Sequence, residues 1–234
     1  KPNSWYVGYR KGDFESGAFG CWKLGVSETY CNKDKSEFTT DEKRAFAIQQ
    51  SEIRAKREAE SEAKHQQSEV NVNEKWSNID VVEHHPYLID KGVHSYDLRQ
   101  ENGSLQIPLF NVDGEMVNIQ SINAKGEKRF TKGAEKKGCF YLLGEVTDTI
   151  LFCEGYSTGA SIYEATKIAT AICFDSGNLK SVALELGSKH PNAKLLVCGD
   201  DDIHNEVNTG RIKARETATH VGGSVVFPVF DENV

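Results

Sequence analysis

The 234-residue sequence is short of several things, and each shortage excludes something. No apolar run approaches the roughly 18 residues of a membrane-spanning helix, so a helical membrane protein is excluded. The start, Lys1-Pro2-Asn3-Ser4-Trp5, lacks the apolar core of a signal peptide and lacks an initiator methionine, and the chain reads as an excised piece of something longer. Basic residues are outnumbered, 28 Lys and Arg against 35 Asp and Glu, for a net charge of −7. A generally basic nucleic-acid coat is thereby excluded, while a local basic patch on an acidic protein is not. The six cysteines, at 21, 31, 139, 153, 173 and 198, contain no C-x-x-C pair, which argues against a zinc ribbon. Cys153, Cys173 and Cys198 sit inside apolar runs, where a reduced cysteine acts as a small hydrophobe, and the irregular spacing fits a reducing compartment, the cytoplasm. Neither a G-x-S-x-G elbow nor a Cys–His pair points to covalent catalysis, and no G-x-x-x-x-G-K-[ST] phosphate loop is present. Hydrophobic residues, at 38%, suffice for a packed core.

What is there changes character along the chain. Residues 1–33 are rich in glycine and aromatics (Trp5, Tyr6, Tyr9, Phe14, Phe19, Trp22, Tyr30), with turn signals at Lys11-Gly12-Asp13 and Ser16-Gly17, and read as short antiparallel strands. Thr39 or Thr40, followed by Asp41-Glu42, opens a charged helix over about 40–68 that has few apolar residues and reads as solvated. Val70-Asn71-Val72-Asn73 reads as a break, with a second helical patch over about 74–83. Strand-like pieces follow at 105–110, 116–122, 129–131 and 139–143, the last continuing the same sheet. Residues 1–146 thus read as an α+β region and 147–234 as a separate α/β domain. In the latter, apolar runs at 149–153, 170–174, 194–198 and 224–227 predict buried parallel strands, alternating with helices over about 158–167, 179–189 and 210–220. Short connections in such an alternation imply right-handed crossovers and a parallel sheet flanked by helices.

In an open parallel sheet, ligands meet residues just beyond the carboxyl ends of the strands. Two predicted strands end in acids there, Cys153-Glu154-Gly155 and Cys198-Gly199-Asp200-Asp201-Asp202. In extended backbone Asp200 and Asp202 point the same way and Asp201 elsewhere. Carboxylates crowded together repel unless neutralised, and a hard divalent ion, Mg²⁺ or Mn²⁺, is the natural partner. Glu154-Gly155 and Asp200-x-Asp202 after apolar strands resemble the TOPRIM domain of primases, topoisomerases and certain nucleases. The likeness extends to the primase part of phage- and plasmid-encoded primases and primase–helicases. It is carried by Gly17-Ala18-Phe19-Gly20-Cys21-Trp22-Lys23, His85-Pro86-Tyr87-Leu88, Ile107-Pro108-Leu109, Lys128-Arg129-Phe130, Phe174-Asp175-Ser176-Gly177-Asn178-Leu179 and the Cys198–Asp202 stretch. The resemblance implies that Glu154, Asp200 and Asp202 form the catalytic, metal-binding set. It implies a nucleotidyltransferase joining nucleoside triphosphates into short primers on single-stranded DNA, with a replicative helicase as a partner. No zinc-binding module of the kind such primases carry is evident. A TOPRIM nuclease using the same acids on water, or a non-catalytic nucleic-acid-binding module, remains as an alternative. A topoisomerase fits less, for want of a tyrosine-bearing domain.

Other residues are candidates for contact with nucleotide or template. Lys125 to Lys137 holds six basic side chains against two acidic ones, and Lys128, Arg129, Lys132, Lys136 and Lys137 are the candidates for phosphate, with Gly126, Gly133 and Phe130 interleaved. Arg99 and His204 are weaker members. Gly155-Tyr156-Ser157-Thr158-Gly159 links a strand to a helix; Ser157 or Thr158 can cap it, and Gly155 and Ser157 can face a phosphate. Asp175 reads as a turn residue or an acid behind the metal set. Asn208 reads as a helix cap, His84, His85 and His94 as surface or core residues, and Trp5, Trp22 and Trp76 as core anchors.

Overall fold

The computed structural model describes residues 4–11, 14–21, 26–33, 39–201 and 208–229. Trp22, Asp202 and His204 lie outside the described residues. The chain forms two compact units, Lys1–Glu60 and Ser61–Val234.

In the first unit β1 (Ser4–Lys11), β2 (Phe14–Cys21) and β3 (Val26–Cys31) form an antiparallel sheet in that order, as the glycine- and aromatic-rich composition predicts. Trp5 pairs with Gly20, where a Cβ would stand 2.8 Å from the indole, so the glycine is the floor on which the ring lies. Helix α1 (Thr40–Ser77) begins in this unit and ends in the second. The break expected at 70–73 is absent, and helix continues to Ser77 rather than restarting at 74. Val72 is 1% exposed in a cluster with Met116 and Ile119, and the Asn73 amide donates to the Met116 carbonyl at 2.9 Å. Those contacts override the turn preference of the two asparagines.

The second unit contains two five-stranded sheets. One is antiparallel, in the order β4 (Asp80–Val81), β5 (Arg99–Glu101), β6 (Ser104–Phe110), β7 (Met116–Ile122) and β8 (Lys128–Phe130). After β4 comes a helix absent from the sequence reading, α2 (Pro86–Lys91). Pro86 occupies its first turn, and the His85 ring caps it by accepting from the Tyr87 N–H at 3.2 Å. Since Nδ1 accepts, Nε2 carries the proton and donates to the Gly103 carbonyl at 3.1 Å, which satisfies both nitrogens of a ring that is 0% exposed.

The other sheet is built from β9 (Tyr141–Leu143), β10 (Thr149–Cys153), β11 (Thr170–Ile172), β12 (Lys194–Cys198) and β13 (Ser224–Val226), in the order β13-β12-β10-β11-β9. The helices α3 (Tyr156–Thr166), α4 (Leu179–Lys189) and α5 (Thr209–Val221) connect its strands. All pairings are parallel except that of β9 with β11. The predicted 139–143 strand therefore belongs here and not to the first sheet, which it touches through one bridge, Phe110 to Phe140. Alternation along β10 sends Ile150 and Phe152 toward α4 and α5, and Cys153 toward α3 and the antiparallel sheet. That second core, from Val82 to Phe174, draws on residues either side of 146. Among the described residues no helix is long and apolar enough to cross a membrane.

Candidate active site

β10 and β12 pair in parallel, with Phe152 opposite Val197; Glu154 follows two residues after the one and Asp200 three residues after the other. The two acids therefore follow neighbouring parallel strands at the same carboxyl edge. Oε1 of Glu154 is shielded from solvent. The thiol of Cys153 registers both charges: burial pushes its pKa well up, the thiols of Cys173 and Cys198 add, and the carboxylates of Asp200 and Glu154 add further. Among the described residues no group of three or more His, Cys, Asp or Glu side chains is gathered to hold a metal, and the third expected acid, Asp202, lies outside those residues.

Asp201 turns the other way, as strand alternation requires. Its carboxylate accepts from Arg211 Nη1 at 2.8 Å and from the Asn208 amide at 2.6 Å, and its side chain is 6% exposed. Arg211 lies 4.5 Å over the Phe227 ring, and Asn208 caps α5 as expected by accepting from the Arg211 N–H. Gly199 makes this approach possible, because a Cβ there would stand 2.5 Å from Phe227 and 2.6 Å from Ala214.

The turn after β10 differs in detail from its sequence reading. Gly155 is the N-cap of α3 and no side chain caps the helix; the Ser157 hydroxyl instead accepts from the Tyr87 hydroxyl at 3.3 Å. At Gly159 a Cβ would meet Ile172 at 2.5 Å and Cys153 at 2.9 Å, so this glycine serves the packing of α3 on the sheet.

The basic segment meets this edge at two points. Nζ of Lys128 lies 3.7 Å from where a Cβ would stand on Gly155, directly after Glu154. Lys136 forms an ion pair with Asp175 and lies 5.4 Å over the Phe130 ring, which is itself edge-on to Phe174 at 6.0 Å. Phe174 holds φ at 72°, a left-handed conformation rare for an aromatic residue, where the chain leaves β11. Lys128, Arg129, Lys132 and Lys137 are exposed, and Lys136 is part-buried. Arg99 is turned away from phosphate duty: its guanidinium lies 4.7 Å over Trp76 and donates to the Trp76 and Ile79 carbonyls.

Two supports went unread in the sequence. Tyr87 ties α2 to α3, and the His-Pro pair before it was a legible helix-start signal. Asn178, 2% exposed, binds a segment some 40 residues away, and no local pattern marks that.

No family model matches the chain. It is similar to two proteins of Escherichia coli, each named DNA primase TraC. One is 38% identical over 200 residues, covering 79% of this chain and 19% of that protein. The other is 32% identical over 241 aligned residues, covering 97% of this chain and 16% of that protein. The chain thus spans less than a fifth of the length of these relatives. Among solved structures, it is similar to the primase fragment of the bacteriophage T7 primase-helicase protein, with TM-score 0.45, 16% identity, and coverage of 61% of this chain and 64% of that one. It is also similar to the zinc-binding and RNA polymerase domains of the Aquifex aeolicus primase, with TM-score 0.44, 13% identity, and coverage of 99% and 74%. The identity to the two E. coli proteins carries the likeness, and it bears out the primase resemblance read from the residues.

Proposed function

We infer that this chain carries the primer-synthesising centre of a DNA primase, a nucleotidyltransferase acting on nucleoside triphosphates along single-stranded DNA in the cytoplasm of a bacterial host. One observation carries this reading: Glu154 and Asp200 leave adjacent parallel strands at one edge, and Lys128 reaches the turn beside them. The donor set is all carboxylate oxygen, which suits Mg²⁺ or Mn²⁺ rather than a softer metal. Glu154, Asp200 and Asp202 would hold the ion. Once bound, such an ion lowers the pKa of an attacking 3′-OH and offsets charge developing on the phosphates. The protein's own residues do the rest. Lys128 and the half-buried start of α3 at Gly155 and Ser157 hold triphosphate oxygens. Arg129, Lys132, Lys136 and Lys137 hold nucleotide or template phosphates, as ammonium and guanidinium groups do on any single strand. Asp175 takes no direct part; it pairs with Lys136. The chemistry belongs to the half after residue 147, with residues up to 146 supplying the basic segment. A replicative helicase is the partner this reading calls for.

The test is a denaturing gel. The purified chain is incubated with Mg²⁺ or Mn²⁺, end-labelled single-stranded DNA and, in parallel, labelled nucleotides. New short labelled oligomers are expected. Asp200→Asn should reduce them by more than the roughly 10–100-fold that loss of a supporting residue causes, with an unchanged circular dichroism spectrum. Shortened DNA in place of new oligomers would make the protein a nuclease.

A further inference from the structure

The turn after β11 grips the basic segment at two places. The Nδ2 group of Asn178 donates to the carbonyls of Lys136 at 3.1 Å, Cys139 at 2.9 Å and Cys173 at 3.0 Å. Its Oδ1 accepts from the Gly138 N–H at 2.8 Å, and its own N–H is held by Asp175 Oδ1 at 3.1 Å. One buried side chain thus ties residues 136–139 to the carboxyl end of β11, beside β10, which Glu154 directly follows. The same turn holds the other end of Lys136, through the ion pair with Asp175. Lys137, next along, stays exposed, with its charge near enough to Glu185 to be felt there. Three backbone groups of this segment bonded to one buried side chain pin it in place, and both ammonium groups start from that backbone.

We propose that Asn178 is a positioning residue, which sets the backbone of residues 136–138 so that Lys136 and Lys137 meet phosphates together at the acid edge. This rests on the reading of the basic segment as a phosphate contact. Asn178 itself touches no phosphate and carries no charge. A ligand phosphate competes with the Asp175 carboxylate for Lys136, so the lysine is held ready and released by exchange of one oxygen anion for another. Asn178 keeps the backbone fixed during that exchange. Without it, each lysine would have to find its phosphate from a loose loop, and ion-pair formation would be lost to the entropy of ordering that loop.

Salt dependence separates positioning from general support of the fold. Binding of labelled single-stranded oligo-dT is measured by fluorescence anisotropy across a potassium chloride series. Each lysine that contacts a phosphate contributes about 0.7 to the slope of log affinity against log salt. Lys136→Ala with Lys137→Ala is expected to lower the slope by about 1.4. Asn178→Ser, which removes no charge, is expected to lower it by nearly as much, and adding Lys137→Ala to it should then lower it little further. Circular dichroism and a thermal melt check that Asn178→Ser folds. If it does not, Gly138→Ala takes its place: Gly138 holds φ at 77°, where any side chain strains the backbone, so the segment shifts with Asn178 itself retained. A wild-type slope in a folded Asn178→Ser or Gly138→Ala protein, alongside a lowered slope in the lysine variant, overturns the positioning role and leaves the phosphate reading standing. An unchanged slope in the lysine variant overturns the phosphate reading, and the positioning role falls with it.

Discussion

Three successive aspartates stand beyond the end of β12, and the structure ties the middle one into the packing of α5. Asp201 is buried against Arg211 and Asn208, while Asp200 stands just before it at the same strand end. Strand alternation was enough to see that Asp201 turns away. Its partner was not legible, because Arg211 comes from the next helix and is brought in by stacking on Phe227. Arg211→Ala leaves a nearly buried carboxylate with Asn208. It should destabilise the protein by about 2 kcal/mol, below the roughly 3–5 kcal/mol of a fully buried pair because the guanidinium is part-solvated. Urea unfolding at unchanged m-value checks this, and adding Asp201→Asn to Arg211→Ala should recover part of the loss. The acids at 154 and 200 were legible for a simple reason: each directly follows an apolar run whose length fits one buried strand. Asn178 was not, since what sets it apart is its hold on three backbone groups some 40 residues away, which no local pattern marks.

Elements whose apolar pattern is unambiguous appear where the sequence places them, and those settled by contacts elsewhere do not. Strands β10 and β12 and helix α4 coincide with their predicted bounds, because each is an apolar run or stripe flanked by turn residues. The expected break in α1 fails because Val72 and Asn73 find partners on β7, and β9 changes sheets because β11 offers it an unpaired edge. Helix α3 shows how one element is fastened at both ends. Near its start Tyr156 donates to the His94 and Ser95 carbonyls at 2.9 and 2.7 Å. Near its end Glu164 accepts from the His94 N–H and ring, both at 2.9 Å. Partial burial pushes the Glu164 pKa up, but the hydrogen bonds from the His94 backbone, the His94 ring and Tyr96 outweigh it and leave the pKa below the usual carboxylate value. A carboxylate with a depressed folded pKa stabilises above its unfolded pKa, and that contribution disappears as pH falls through the folded value. Glu164→Gln should therefore cost no more than about 1 kcal/mol at neutral pH, and the variant and wild type should converge below the carboxylate range. Urea midpoints across a pH series measure both.

At the scale of the whole chain, every buried apolar side chain among the described residues comes from Val72 or later. The unit Lys1–Glu60 thus contributes nothing described to the cores that hold the acid edge. A protein beginning at Ser61 keeps Val72 and Trp76 on β7, and its urea unfolding free energy should match that of the same unit in the intact chain within about 0.5 kcal/mol. The change from an aromatic, glycine-rich start to an alternating α/β end was plain from composition. The shared core between the antiparallel sheet and α3 was not, because it is assembled from alternate residues of many short strands. The strand order β13-β12-β10-β11-β9 carries one more consequence, for the order of events on the ribosome. β10 leaves the exit tunnel with β11 still to come, and β12, which flanks it on the other side, is made later still. Glu154 and Asp200 are separated by two helices and two strands, so a nascent chain has no acid pair until β12 inserts beside a strand synthesised well before it. The two acids therefore come to one edge late, when β12 closes that side of the sheet.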